Sequence, residues 1–289
     1  MKNIFYLLFF FVFFTSCKSN TKKNGGKDTV TIKKNTDKAQ SLISEFKPII
    51  QGSWVNRDFI NKIAKTQSPY LAKDDAGNIC TMLISTKFIE GDSLKIEVGY
   101  GTHEGGDFTL KFHQAKVKGA IIAYPAPGGN IDGDTYGLKY KISKNDTTLI
   151  LYTFNKDGKT TDSTYYFKVF NDFEGHELGY SLYYMVNKTL ISGNYILTDS
   201  VNNKTKVSFD SFGNVSGFPN AKTYAIDVDF ETPPGNNMDQ LNFELADKKT
   251  SLYAFKIDRD TVNLYQTSFD KDSIDFILGK RIYKLIKQR

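Results

Sequence analysis

Cysteine and histidine are scarce. Two cysteines (Cys17, Cys80) and three histidines (His103, His113, His176) are all that 289 residues contain. The histidines do not cluster, and none has a second His or Cys at metal-ligand spacing, so no metal site is expected. A Gly-x-Ser-x-Gly elbow is missing, and no Ser or Cys has a credible His partner, so a hydrolase triad is not expected. Carboxylate pairs such as Asp74-Asp75 and Asp258/Asp260 fall at turn signals, where Asp serves local hydrogen bonding. The Gly/Pro-rich loop Tyr124–Gly137 has aspartates but not the glutamate that ends a calcium loop. It reads first as a long hairpin loop, second as a ligand lid or weak cation site. The reading is a protein without catalytic residues or cofactor. An enzyme with a site dispersed over strand ends is the lesser alternative. No basic stripe interleaved with stacking aromatics runs through the folded part, which speaks against nucleic acid.

The N-terminus is the most specific segment. Met1-Lys2-Asn3 starts with charge, Ile4 to Phe14 is unbroken apolar sequence, and Thr15-Ser16-Cys17 closes with small residues. The run is about half the roughly 20 residues of a membrane span, so it reads as a secretory signal. Phe14-Thr15-Ser16-Cys17 resembles a bacterial lipobox. That resemblance implies export, lipidation at Cys17 and tethering to the outer membrane. No acidic residue follows directly in Lys18-Ser19-Asn20-Thr21-Lys22, which favours the periplasmic face. Cys80 then stands alone, so no intramolecular disulfide is available, and its apolar setting makes it a buried small hydrophobe.

The net charge of +6 is modest and unevenly placed. Lys18, Lys22, Lys23, Lys27, Lys33, Lys34 and Lys38 are opposed only by Asp28 and Asp37. Such a stretch is a solvated tail or a contact with anionic headgroups, the latter worth about 1 kcal/mol per Lys near the surface. Residues 1–16 are read as signal and 17–45 as the acylated Cys with a flexible tether, because this stretch is poor in large apolar side chains.

Beyond the tether, strand signals dominate. Leu94–Val98, Phe108–Phe112 and Tyr165–Val169 alternate with period 2, as do Tyr224–Phe230 and Leu241–Leu245. Helix is predicted only at Ala39–Phe46 and Asp58–Lys65. The two halves repeat. Ile49–Val55 matches Leu190–Ile196, and Lys141–Thr147 matches Lys256–Thr261. Each half closes on an aromatic-basic strand, Tyr165–Lys168 and Arg281–Lys284. The expected fold class is all-β: two tandem small antiparallel up-and-down barrels at 46–170 and 189–289, with 171–188 as a linker.

The opening Gly-x-Trp/Tyr with a basic residue on the last strand resembles the lipocalin-like (calycin) families. The resemblance implies that the aromatic closes one barrel end against a cation, an interaction worth about 0.5–2 kcal/mol. Trp54 would then meet Lys168, and Tyr195 would meet Arg281 or Lys284. Asp-Ser/Thr-apolar triplets, among them Asp28-Thr29-Val30 and Asp92-Ser93-Leu94, resemble an O-glycosylation acceptor pattern of Bacteroidetes, with Thr29 the foremost candidate. They also mark strand starts.

Two roles follow. One is a lipid-anchored envelope protein binding a small apolar or amphipathic ligand inside a barrel. The other has filled barrels and binds an envelope protein partner, as an inhibitor or structural lipoprotein. Aromatics, at 14% of the chain, fit both.

Overall fold

The protein was analysed as a computed structural model. It describes residues 28–125, 135–144, 146–172, 175–231, 237–272 and 274–288, with backbone alone for 28–36 and 125. The signal segment 1–16, Cys17 and the Thr29 side chain lie outside the described residues, as does most of the Tyr124–Gly137 loop.

Two eight-stranded antiparallel sheets follow one another along the chain. The first contains β1 (Gly52–Asn56), β2 (Ile79–Ile84), β3 (Ser93–Tyr100), β4 (Glu104–Gln114), β5 (Ile121–Pro125), β6 (Thr135–Ser143), β7 (Asp146–Phe154) and β8 (Thr160–Phe170). Each strand pairs with the next, and β1 pairs with β8, so the barrel is closed. The second contains β9 (Gly193–Thr198), β10 (Lys204–Phe209), β11 (Val215–Ser216), β12 (Ala221–Ile226), β13 (Gln240–Leu245), β14 (Thr250–Asp258), β15 (Thr261–Phe269) and β16 (Phe276–Lys287). Here β9 pairs with β16, and the seam between β11 and β12 is spanned by the Asn214↔Thr223 bridge. The architecture is therefore all-β, two tandem antiparallel up-and-down barrels, the first closed and the second nearly closed.

Period 2 in the sequence becomes inside and outside here. On β3, Leu94, Ile96 and Val98 are buried while Lys95 and Glu97 are exposed. Across the barrel, β4 supplies Phe108, Leu110 and Phe112. The repeated hairpins superimpose in kind. β6–β7 turns at Lys144 with φ 51°, and β14–β15 turns at Arg259 with φ 55°.

Among the described residues the α-helices are α1 (Asp28–Ile50), α2 (Arg57–Thr66) and α3 (Tyr180–Leu190). α1 corrects the tether reading, because helix begins at Asp28 instead of near Ala39. Ala39, Ile43, Phe46 and Ile50 fall on one face and are buried. Packing of those turns nucleates the helix, and each residue added upstream then costs little. α2 is close to expectation. Asn56 caps it, its Oδ1 accepting from the Asp58 and Phe59 N–H groups at 2.9 and 3.3 Å. Its Nδ2 donates to the Ala76 carbonyl at 2.9 Å, tying the helix to the turn that follows. α3 lies between the two barrels, starting within the stretch 171–188 read as the linker and running on to Leu190. Leu182, Val186 and Leu190 sit at i, i+4 and i+8 and are buried. Its tyrosines and Val read locally as strand.

The halves are packed together. One apolar cluster begins with Val55, Phe59, Ile63 and Cys80 of the first half. It continues through Leu182 and Val186 of α3 into Tyr195, Phe209, Phe243 and Leu264 of the second barrel. A separate cluster fills the first barrel.

Candidate functional site

Both barrels are entered in the same way. After α1, Gly52 adopts φ 125° and Trp54 follows; after α3, Gly193 adopts φ 142° and Tyr195 follows. Only glycine suits that backbone, and a Cβ at Gly52 would collide with the Phe170 carbonyl. Trp54 Nε1 donates to the Ile50 carbonyl at 2.8 Å, and the Tyr195 hydroxyl donates to the Ile191 carbonyl at 2.8 Å. Each ring thus takes up a carbonyl at the end of the preceding helical segment, an acceptor otherwise short of a partner.

The cations complete the two ends. Lys168 Nζ lies 4.8 Å from the Trp54 ring centroid and donates to the Ile49 carbonyl at 2.9 Å. Burial pushes the Lys168 ammonium pKa down from its ordinary value. At the second barrel the partner is Lys287, 5.8 Å from the Tyr195 ring, and not Arg281 or Lys284. Arg281 is paired with Tyr265 and donates to Asn263 Oδ1 at 3.3 Å, while Lys284 pairs with Asn263 and Thr198. β16 pairs with β9 in unbroken register, Lys284 with Thr198 and Lys287 with Tyr195, so the residue opposite Tyr195 is Lys287.

The first barrel is packed throughout its described part. Trp54, Met82, Leu94, Phe108, Leu110, Phe112, Leu138 and Tyr166 each expose 2% or less. A side chain that no water-sized probe can touch borders no ligand-sized void. The Tyr166 hydroxyl donates to the Ile79 carbonyl at 2.8 Å, so its polar tip is satisfied inside. The second barrel holds a ring cluster in which Phe218 stacks on Phe243 at 4.0 Å and Phe209 meets Tyr224 edge-on at 5.0 Å.

Among the described residues, clefts open beside the barrels. A cleft of about 460 Å³ opens where the turn after α2 meets the second barrel. Leu71, Met238, Ile257 and Leu278 supply apolar wall. Asp239 lies at this junction. It accepts from the Tyr70 N–H at 2.8 Å, and Tyr70 meets Phe230 edge-on at 5.5 Å. Burial raises the Asp239 carboxyl pKa, opposed by its hydrogen bonds from Ser68 and Tyr70. The Ser68 hydroxyl accepts from the Leu71 N–H at 3.0 Å, holding a leucine that is 62% exposed at the cleft wall.

The tip of β15–β16 adjoins this cleft. Asn237 Nδ2 donates to the Phe276 carbonyl at 3.0 Å, and the Phe276 N–H donates to Asn237 Oδ1 at 3.2 Å. Phe269 stacks on Phe276 at 4.8 Å, and Ile274 and Ile277 are each 52% exposed. Neighbouring exposed apolar groups of this kind are a mark of a binding surface. The run Phe276-Ile277-Leu278 breaks the alternation of a half-buried strand, which is the signal sequence reading could have used.

Two of the three histidines lie against carboxylates. His113 Nε2 lies 2.5 Å from Asp92 Oδ2, while the Ser93 hydroxyl donates to Asp92 Oδ1 at 2.8 Å. These contacts, the His113 one foremost, hold the Asp92 carboxyl pKa well below its usual range. The aspartate stands between Ser and His, whereas activation of a serine needs the His in the middle. Cys80 is fully buried, and desolvation pushes its thiol up to about 12, so it stays protonated and unreactive at neutral pH. His176 stacks on Tyr180.

His103 Nδ1 lies 2.6 Å from Asp229 Oδ2, bridging the two halves. The hydrogen bond to Asp229, then its charge, raise the His103 pKa above the ordinary value. The proton is therefore held more tightly in the folded state. The bridge stabilises fully below the unfolded pKa near 6.5, and its contribution fades as pH rises through the higher folded value. Thermal melts at pH 5.5 and 8.5 should show His103→Gln destabilised relative to wild type at the lower pH and equal at the higher. The pair is exposed, so the difference should be small.

Among the described residues no group of three or more His, Cys, Asp or Glu could hold a metal ion, and no helix is long and apolar enough to cross a membrane. Comparison with protein families, with curated proteins and with solved structures returned no match.

Proposed function

We propose that this chain is a non-catalytic, lipocalin-like binding protein of the cell envelope, anchored through a lipid on Cys17. Its ligand is a small apolar or amphipathic molecule. It is held not inside a barrel but in the cleft between the α2 turn and the rim of the second barrel. One observation carries this reading: the first barrel's core is packed solid, whereas the roughly 460 Å³ cleft has an apolar wall and an exposed apolar neighbour in the β15–β16 tip. That volume lies in the range of small-molecule sites. Burial of apolar surface would drive association at about 25 cal/mol per Å², and tethering would place the cleft where such molecules partition.

The exposed tip also favours a second reading, in which the same surface takes an apolar segment of an envelope protein partner. Titration with a fluorescent lauric acid separates the two. The first reading expects saturable one-to-one binding that Leu71→Lys and Leu278→Lys each weaken at least tenfold. Both residues are solvent-exposed, so the fold is not at stake. Saturable binding that ignores both substitutions would move the site elsewhere, and no binding at all would leave the protein-partner reading. The anchor has its own test. Wild type should fractionate with membranes and Cys17→Ser with the soluble pool; equal partitioning of the two would overturn it.

A further inference from the structure

A second groove, of about 600 Å³, runs along the outside of the first barrel. The end of α1, the β2–β3 connection, β3 and the start of the join between the halves form its walls. Its chemistry differs from that of the apolar cleft. Lys47, Lys87 and Lys95 line it together with Glu97 and Asp172, so both signs of charge face the same space. Lys95 is already answered by Asp107 at 2.7 Å. An anion would meet the two carboxylates, a cation would meet the lysines, and an apolar ligand would strip water from all of them at a cost.

Two rings stand in this polar setting. Phe88 is 61% exposed, with Lys87 Nζ 5.2 Å from its centroid. His176 is exposed and stacks on Tyr180 at 3.9 Å with 5° between planes, so its orientation is held before any ligand arrives. Gln51 is oriented too. Its Oε1 accepts from the Thr86 N–H at 2.8 Å and the Thr86 hydroxyl at 2.9 Å, so what it can offer a ligand is its Nε2 donor pair.

Donors, carboxylate acceptors, charges of both signs among the described lining residues and exposed ring faces together suit one chemical class. A pyranose presents hydroxyls that both donate and accept, and C–H faces that pack on aromatic rings. We infer that this groove is a saccharide-binding site for a neutral oligosaccharide. The sugar's C–H faces pack on Phe88 and His176, and its hydroxyls exchange hydrogen bonds with Gln51, Glu97 and Asp172.

The test uses the full chain carrying Cys17→Ser and two-dimensional NMR of its histidine rings. The probes are cellotriose, laminaritriose and chitotriose as neutral trimers, with tri-galacturonate and chitosan trimer as charged controls. At least one neutral trimer should shift the His176 ring signals saturably, while His103 and His113 stay in place. Phe88→Ala and Glu97→Ala should each weaken that binding tenfold or more. Lauric acid binding at the other cleft should be unchanged in both variants, which keeps the two sites' outcomes separate. Absence of any His176 shift with all three neutral trimers, a response to the charged trimers alone, or Phe88→Ala binding as wild type would each overturn the assignment.

Discussion

Trp54→Ala is expected to remove most of the protein's stability. Trp54 is fully buried and is the largest of the fully buried side chains. Truncating a buried aromatic to alanine costs about 3–5 kcal/mol, set by how far the site can collapse around the void. Collapse is restricted here, because the indole sits between the helix that precedes the barrel and a lysine on its last strand. Two further losses accompany the void. The Ile50 carbonyl loses its 2.8 Å donor, and Lys168 loses the ring under its ammonium while remaining partly desolvated. A buried acceptor left unsatisfied adds about 1–3 kcal/mol. Against the roughly 5–15 kcal/mol that folded domains possess, this is a large fraction. Trp54→Phe should cost less, about 1–3 kcal/mol, because a ring remains for the lysine and only the hydrogen bond and part of the volume go. Urea denaturation followed by far-ultraviolet circular dichroism measures both, since Trp54 is the sole tryptophan and cannot report on its own removal. Equal midpoints for Trp54→Ala and wild type would show that this end of the barrel is closed by something else.

The second barrel offers an internal control. Tyr195→Phe deletes only the hydroxyl that donates to the Ile191 carbonyl, and Lys287 is exposed where Lys168 is partly buried. The same device is therefore built twice with unequal grip, and the first copy should be the more costly to break.

How legible this was depended on distance along the chain. The hairpins at Lys144 and Arg259 could be matched from sequence because strand, turn and strand lie within a few residues, and the local pattern contains the whole instruction. Trp54 and Tyr195 were legible for the same reason: glycine, spacer and aromatic are adjacent. The partner of Tyr195 was not. It depends on the register of β16 against β9, strands far apart in the chain, and no local pattern records that register. α3 was hidden by composition, its buried Leu182, Val186 and Leu190 being diluted among tyrosines with strand preference. The cleft was least legible. Leu71, Asp239, Ile257 and Leu278 come from separated stretches of the chain, and only folding makes them neighbours.

The way the halves share their core leads to the other large effect. Repetition in sequence invites a picture of two beads on a string, each unfolding by itself. The packing argues otherwise. Phe59 and Ile63 of α2 belong to the first half by sequence, yet they lie in the apolar cluster that fills the second barrel, together with Val55 from β1 and Cys80 from β2. β1 is buried on both faces: Trp54 belongs to the core of its own barrel and Val55 to the shared cluster. Losing either half would expose the apolar surface of the other. Calorimetry of the wild type is therefore expected to show one cooperative transition, with calorimetric and van't Hoff enthalpies equal. Phe59→Ala, truncating a fully buried ring at the junction, should cost about 3–5 kcal/mol and move that whole transition without splitting it. Independent barrels would instead give two transitions, only one of them shifted by Phe59→Ala. The tandem barrels would then be two domains in contact rather than one folding unit.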